Sequence, residues 1–529
     1  MSAEMQVNVE TLCSMPPGCG VDAVTADGHS FAFCQDSTEQ FQFMWDGVAG
    51  EPFDVVDMLR DETAAIYPSD DGAHVAYVGL RGEQQFVGRD GIEDQPFEAI
   101  SHSVPPTFGG GGRHLAYGAH VPGGDFRLVL DGVPVGSGSL APMAVVFSPD
   151  GQRLAYLEMR GESRRAAECR IVLDGRPGDW FAGTRNAPGM MQFSPDGSRF
   201  AYCAIDGEGH LRWFVDGVPQ RLVNEVPTLS VAGFQGIGVL ESPVGARFSP
   251  DGKRFAYFAD VVEKGVAIVE DDVPGPLFKA VGFPVFSPDS RRLAYMAHTY
   301  DKKIVLVVEG AVASEWEATG SGHPVFSSDS NRVAVTLQRE AGWLFRKRKL
   351  FTAAVDGRTY SDQPGDDASE WPTFSPDGGR VAWWLRRGAD MFVVIDGIVQ
   401  PRPSDSVLRF DPAGRIVYVG RVGTSQTIVV DDRAGPLADA VVPLVTATEA
   451  FTHASWMIEA PVPFRISAES GHVAWAGVFG DQVRPVLDDE VGPPFDEILA
   501  CDFAEQGTAV WWAQRGQERV RVTTASARD

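Results

Sequence analysis

Phe147-Ser148-Pro149-Asp150-Gly151-Gln152-Arg153-Leu154-Ala155-Tyr156, followed by Ile171-Val172-Leu173-Asp174-Gly175, is the stretch on which the architecture turns. Ser-Pro-Asp-Gly has the preferences of a type I turn. Ser148 suits its first position, Pro149 presets φ at the second, Asp150 tolerates the bridge region and Gly151 closes it. Past the turn, Leu154 and Tyr156 point one way and Ala155 and Leu157 the other, which predicts a strand buried on both faces. The next strand, 170–173, runs into Asp174-Gly175, a hairpin signal because both residues accept positive φ. A fourth, weaker strand (Trp180-Phe181 here, Pro96 to Ile100 in another copy) leads onward. The unit is a four-stranded antiparallel meander, and no stretch of helical period competes with it.

Twelve copies of this unit follow one another. They begin at Thr25 and Tyr67 and continue at Phe108, Phe147, Phe193, Phe248, Phe286, Phe326, Phe374, Phe410, Ile466 and Phe503. From Phe147 onward the spacing is 36 to 56 residues, the length of one propeller blade. A nearly constant Ala in the second strand lets neighbouring sheets approach closely. An open ladder of such sheets would leave buried faces uncovered at its ends, so ring closure is expected.

Phe-Ser-Pro-Asp-Gly-x-Arg-x-Ala-Tyr followed by an Asp-Gly hairpin resembles the TolB-like (WD-like, PD-type) β-propeller repeat. Phe147–Tyr156, Phe193–Tyr202 and Phe248–Tyr257 match throughout, while Phe286–Tyr295 has Ser290 in place of Gly. The resemblance implies an all-β propeller over residues 5–524 with no separate catalytic domain. It implies no particular activity, because fold does not fix function. Propellers commonly hold four to eight blades, so two rings are expected, with crossovers through Leu229–Pro243 and Val445–Pro461. The alternative is one twelve-bladed ring. The last unit, ending at Arg519–Thr524, lacks a fourth strand, and Met5–Glu10 is a spare strand that could complete it.

The chain has 529 residues, 44% of them apolar and 22% charged, values of a globular protein large enough for several cores. With 72 acidic against 45 basic residues the net charge is −27. That disfavours nucleic acid or an anionic membrane as partner. No run is long enough for an apolar membrane span, and Met1–Met15 lacks a secretory pattern, so a cytoplasmic location is expected. Of the six cysteines, Cys34 and Cys203 share one repeat position and read as buried thiols. Cys13 and Cys19 could pair, but a reduced state is expected.

Signals for catalysis are sparse. There is no nucleophile elbow, zinc-protease motif, P-loop or dinucleotide fingerprint, and no cofactor is expected. Gly109–Gly112 stands where other units have Ser-Pro-Asp-Gly and reads as a degenerate turn. His74, His114 and His472 align with Arg153, Arg199, Arg254, Arg292, Arg332 and Arg380 at a basic position two residues past the turn. It is expected to pair with the turn aspartate or cover a strand edge. His102, His120, His298, His323 and His453 are assigned to loops without metal-ligand spacing. Asp271-Asp272, Asp431-Asp432 and Asp488-Asp489 read as hairpin residues rather than calcium ligands.

The segment that departs most from the repeat is Arg339 to Lys349, which lengthens one hairpin of the eighth unit. Arg339, Trp343, Phe345, Arg346, Lys347, Arg348 and Lys349 form a candidate contact for an acidic partner, with Trp343 as anchor. The bland reading is a solvated hairpin, or one folded onto the protein's own acidic surface. The expected function is a non-catalytic binding or scaffold protein that presents loops and a ring face to a protein or peptide. The alternative is a propeller-type hydrolase or lyase with its site in the central channel.

Overall fold

The computed structural model describes residues 5–16, 19–35, 39–56, 66–121, 125–136, 144–161, 167–182, 191–205, 211–224, 246–261, 265–342, 347–404, 408–443, 463–504 and 507–524. Among them there is no helix. The strands form eleven antiparallel sheets, and the nine-stranded one joins the ninth and tenth units through Ser404 and Gly420. The fold is an all-β propeller.

The local signals act as their chemistry dictates. Gly151 N–H donates to the Ser148 carbonyl at 2.7 Å. Asp174 and Gly175 take φ of 52° and 73°, so the hairpin pairs Leu173 with Arg176 and Val172 with Pro177. Gly109–Gly112 is a turn, with Gly110, Gly111 and Gly112 all at positive φ. A Cβ on Gly151 would lie 2.5 Å from the Gly110 Cα, so the two turns touch backbone to backbone.

The fourth strand differs from expectation. In most units it is only two residues long directly after the hairpin, as in Ile92–Glu93 and Arg176–Pro177, whereas Val218–Asn224, Ala311–Trp316 and Ile398–Ser404 are longer. The chain then bridges back to the third strand at Phe53, Phe97, Phe278, Ala438 and Phe495, all buried. Short segments beyond, such as Ala99–Ile100 and Ala280–Val281, pair with the second strand of the next unit. The connection therefore stitches one sheet to its successor.

Packing follows the same succession. Core clusters are shared by neighbouring units, from Phe43 of the first with Tyr77 of the second to Ala474 of the eleventh with Trp511 of the twelfth. Val24 of the first unit packs on Val510 and Trp512 of the twelfth. The recurrent alanines Ala155, Ala201, Ala256, Ala294, Ala334 and Ala382 are wholly buried. The N-terminal strand Val7–Ser14 pairs with Glu518–Thr524 from Val7↔Thr524 onward, and Met5 is buried in the same core. The proposed crossovers through Leu229–Pro243 and Val445–Pro461 lie outside the described residues.

Cys13, Cys169, Cys203 and Cys501 are free thiols, whereas Cys34 is disulfide-bonded. The reduced reading of Cys34 is thus corrected, and Cys13 is not paired with Cys19. Strand pairing supplies the reason: Cys34 stands opposite Cys19 when Cys19–Val24 pairs with Ser30–Gln35, a register that spacing alone does not reveal.

Candidate functional site

Most charged side chains of the repeat are used between units. Arg153 donates through Nε to Asp174 at 3.0 Å and through Nη1 to the Gly197 and Ser198 carbonyls of the next unit. Its guanidinium lies 5.1 Å from the centre of the Phe193 ring there. Arg254 over Phe286, Arg292 over Phe326 and Arg332 over Phe374 repeat the arrangement. His74, His114 and His472 occupy the same position against Asp90, Asp131 and Asp488 at 2.6–2.8 Å. His29 does so against Asp46 at 2.6 Å.

The acid engaged is that of the Asp-Gly hairpin, not that of the Ser-Pro-Asp-Gly turn. One carboxylate oxygen takes the basic side chain while the other accepts a strand N–H, as Asp90 does from Val75. The turn aspartates instead accept from their own serine hydroxyls, at 2.5 Å for Ser194–Asp196. Serine hydroxyl and backbone donors hold Asp196 and Asp329 down at about 2. Asp271 and Asp272 are hairpin residues at positive φ. Among the described residues no group of three or more His, Cys, Asp or Glu is placed to hold a metal.

The basic hairpin is built from Val333–Ala341 and Arg348–Val355, paired out to Ala341↔Arg348. Arg339 meets Asp362 at 3.4 Å, Lys347 meets Glu340 at 2.7 Å, and Lys349 donates to the Asp366 carbonyl at 3.4 Å. Arg348 is exposed. Trp343, Phe345 and Arg346 lie outside the described residues. Two of the four described cations therefore pair with the protein's own acidic side chains, and a third with a backbone carbonyl.

At the base of this hairpin is a site that no sequence motif marks. Phe283, His323 and Trp371 precede Pro284, Pro324 and Pro372 in three consecutive units, two residues before the strands Val285–Phe286, Val325–Phe326 and Thr373–Phe374. Their rings form a row: Phe283 to His323 at 5.7 Å, and His323 to Trp371 at 4.3 Å, stacked at 21°. His323 is 3% exposed and Trp371 42%. Burial, aided by the charge of Arg247, pushes the His323 imidazole down to about 4, so it is neutral at pH 7.

His323 N–H donates to the Glu370 carbonyl at 2.8 Å, and Thr336 Oγ1 donates to the Ser369 carbonyl at 2.8 Å. These bonds fix Ser369-Glu370-Trp371 against the eighth unit. A cavity of about 130 Å3 opens beside them, lined by Thr336, Gln338, Phe351, Asp367 and Glu370 among others. Partial burial and the neighbouring Asp367 raise the Glu370 carboxyl above its ordinary value. A wider cavity of about 560 Å3 lies between units ten and eleven. Its Arg433–Asp489 and His472–Asp488 pairs are already formed.

Assigning His323 to a loop hid it; aligning the x-Pro-x-Phe segments would have placed three rings at one repeat position. His323 does lie in the connection between Gly320–Ser321 and Val325–Phe326, whereas His120 and His298 are not in loops, since they end the strands His114–His120 and Leu293–His298. His453 lies outside the described residues.

No protein-family model matches the chain, and no curated protein matches it. Among solved structures it is similar to a eukaryotic initiation factor, with 13% identity over 72% of this chain and 98% of that one and a TM-score of 0.33. It is similar to the β-propeller domain of the trilobed protease from Pyrococcus furiosus, with 13% identity, 64% and 91% coverage and a TM-score of 0.25. It is also similar to TolB from Acinetobacter baumannii, with 16% identity, 47% and 62% coverage and a TM-score of 0.22. Each is a likeness of fold and says nothing about activity.

Proposed function

We propose that the chain is a non-catalytic binding or scaffold protein whose twelve units make one ring, and that it presents a protein or peptide partner with the face formed by units seven to nine. Unbroken packing from the first unit to the twelfth and back to the first supports one ring over two. The observation that carries the binding reading is a division of labour. Repeat side chains at the turns are consumed in clamps between units, whereas ahead of the first strand of unit nine Trp371 stands exposed, one residue after Glu370 of a cavity bordered by the lengthened hairpin. Exposed aromatics on a rigid frame are the usual anchors of interfaces.

Affinity capture from the native extract tests this, comparing the intact chain, a variant with Arg339–Lys349 replaced by a short turn, and Trp371→Ala. A partner held by the intact chain and lost with either change supports the reading. Identical capture by all three moves the contact to another face.

One observation favours a second reading, a hydrolase or lyase. The neutral His323 Nε2 lies 3.8 Å from a Glu370 carboxylate oxygen, and groups displaced in opposite directions in a cleft are acid–base candidates. Turnover of an ester or glycoside panel by the intact chain, abolished in His323→Phe, would establish it.

A further inference from the structure

We propose that the cavity between units eight and nine is a receptor for a cationic side chain, arginine or lysine, from a basic segment of the partner; this rests on the binding reading above. The first ground is room. A cavity needs on the order of 10–15 Å3 of such space for one water, so about 130 Å3 accommodates a guanidinium or ammonium head with part of its stem. Phe351 and Leu337 supply apolar wall for the stem, and Gln338 and Ser321 supply polar edge.

The second ground is charge. Asp367 and Glu370 both line the cavity. Asp367 has a cation, Arg386 at 3.1 Å, and Lys349 reaches the nearby Asp366 carbonyl. Glu370 has none. Among the described residues the one basic group within 4 Å of its carboxylate is His323, which is neutral. The Glu370 side chain is 53% exposed and so open to a ligand, and a bound cation supplies the counter-ion it lacks among the described residues. An acidic or phosphorylated ligand would meet both carboxylates and the overall charge of −27.

The third ground is the indole. Trp371, the residue after the cavity-lining Glu370, is stacked on a buried imidazole yet remains 42% exposed, so the ring is braced on one side while part of it meets solvent. An exposed, braced ring one residue from a cavity-lining carboxylate offers a cation both a ring quadrupole and an ion pair at the rim. Little ordering is left for binding to bring about. The sign is opposite to that of the basic hairpin, whose cations are largely matched by Glu340 and Asp362.

The test is fluorescence anisotropy with a labelled Gly/Ser heptapeptide carrying a central Arg-Arg pair, against the same peptide with citrulline, an uncharged isostere. The arginine peptide is expected to bind the intact chain about tenfold or more tightly than the citrulline peptide. Glu370→Gln and Trp371→Ala should each weaken it by a similar factor. Trp371→Phe, which keeps a ring, should retain most of the binding and guards against a folding defect in the alanine variant. Glu315→Gln, which removes a carboxylate paired with Lys303 elsewhere, should leave it unchanged.

Equal binding of the two peptides overturns the proposal. So does a loss in Glu315→Gln as large as in Glu370→Gln, which would mean a diffuse acidic surface. A native partner still captured by Glu370→Gln and Trp371→Ala, but lost with the hairpin, overturns this proposal and leaves the binding reading standing. Capture of no partner by the intact chain counts against that broader reading.

Discussion

Arg332 shows what one repeat position does. Its guanidinium meets Asp356 at 3.2 Å, donates to the Gly378 carbonyl at 2.6 Å and lies 5.7 Å from the Phe374 ring centre. The last two contacts belong to the next unit, so Arg332→Met should cost roughly 1–2 kcal/mol in urea unfolding, discounted because the side chain is 34% exposed. Gly151→Ala should cost a similar ~1–2 kcal/mol, from its left-handed φ of 69° and the approach to Gly110. His323 and His29 titrate in opposite senses. Burial lowers His323 to about 4, so its stabilising contribution is complete above the unfolded value near 6.5 and is lost as pH falls toward 4. That amounts to about 3 kcal/mol, and His323→Phe, which copies the residue of unit seven, should flatten this limb. His29 is raised by Asp46 and Asp27 despite its partial burial, so its contribution is present below 6.5 and lost as pH rises past its folded value. The basic position was legible because it recurs at fixed distance from the turn. Its partner was not, because the hairpin aspartate returns to it only after two strands pair.

At the scale of elements, the turn and the Asp-Gly hairpin could be read directly, since each is written in four or two adjacent residues. The fourth strand could not. Its length depends on where the chain leaves the sheet to reach the next unit, and no local residue records that. Ser290 and Ser330 make the same point. They replace glycine at positive φ, and their hydroxyls accept the Asp251 and Asp289 N–H groups of the preceding unit at 2.9 Å, a contact between units rather than within a turn. The hairpin of unit eight is different in kind, because Leu337 and Phe351 are buried while Arg348 and Lys349 are exposed. Replacing residues 339–349 by a short turn should therefore shift the urea midpoint little, whereas Phe351→Ala should cost about 3–5 kcal/mol.

Over the whole molecule, repetition made the propeller legible but not the order in which units meet, because every unit carries the same instructions. The ends carry the distinguishing ones. Val7–Ser14 supplies the fourth strand of the last unit, and Met5 N–H donates to the Val491 carbonyl of the eleventh at 3.1 Å. Arginine fills the bridging position in units four to ten, whereas units one, two, three and eleven have histidine and unit twelve has Thr508. Deleting residues 1–14 should lower the thermal midpoint by several degrees or more and speed amide exchange first in Ala509–Arg515 and Glu518–Thr524. Uniform acceleration across all units would mean that the ring opens as one body instead.

That closing strand also sets a timetable for biosynthesis. Ser14 and its partner Gln517 are 503 residues apart, and a ribosome adds roughly 5–20 residues per second. Once translated, Val7–Ser14 thus waits roughly 25–100 seconds for its neighbour, with unpaired edge groups that invite pairing with another chain. During that interval it depends on whatever shields a nascent strand, and crowded polysomes give such edges the chance to pair with a strand of the wrong molecule.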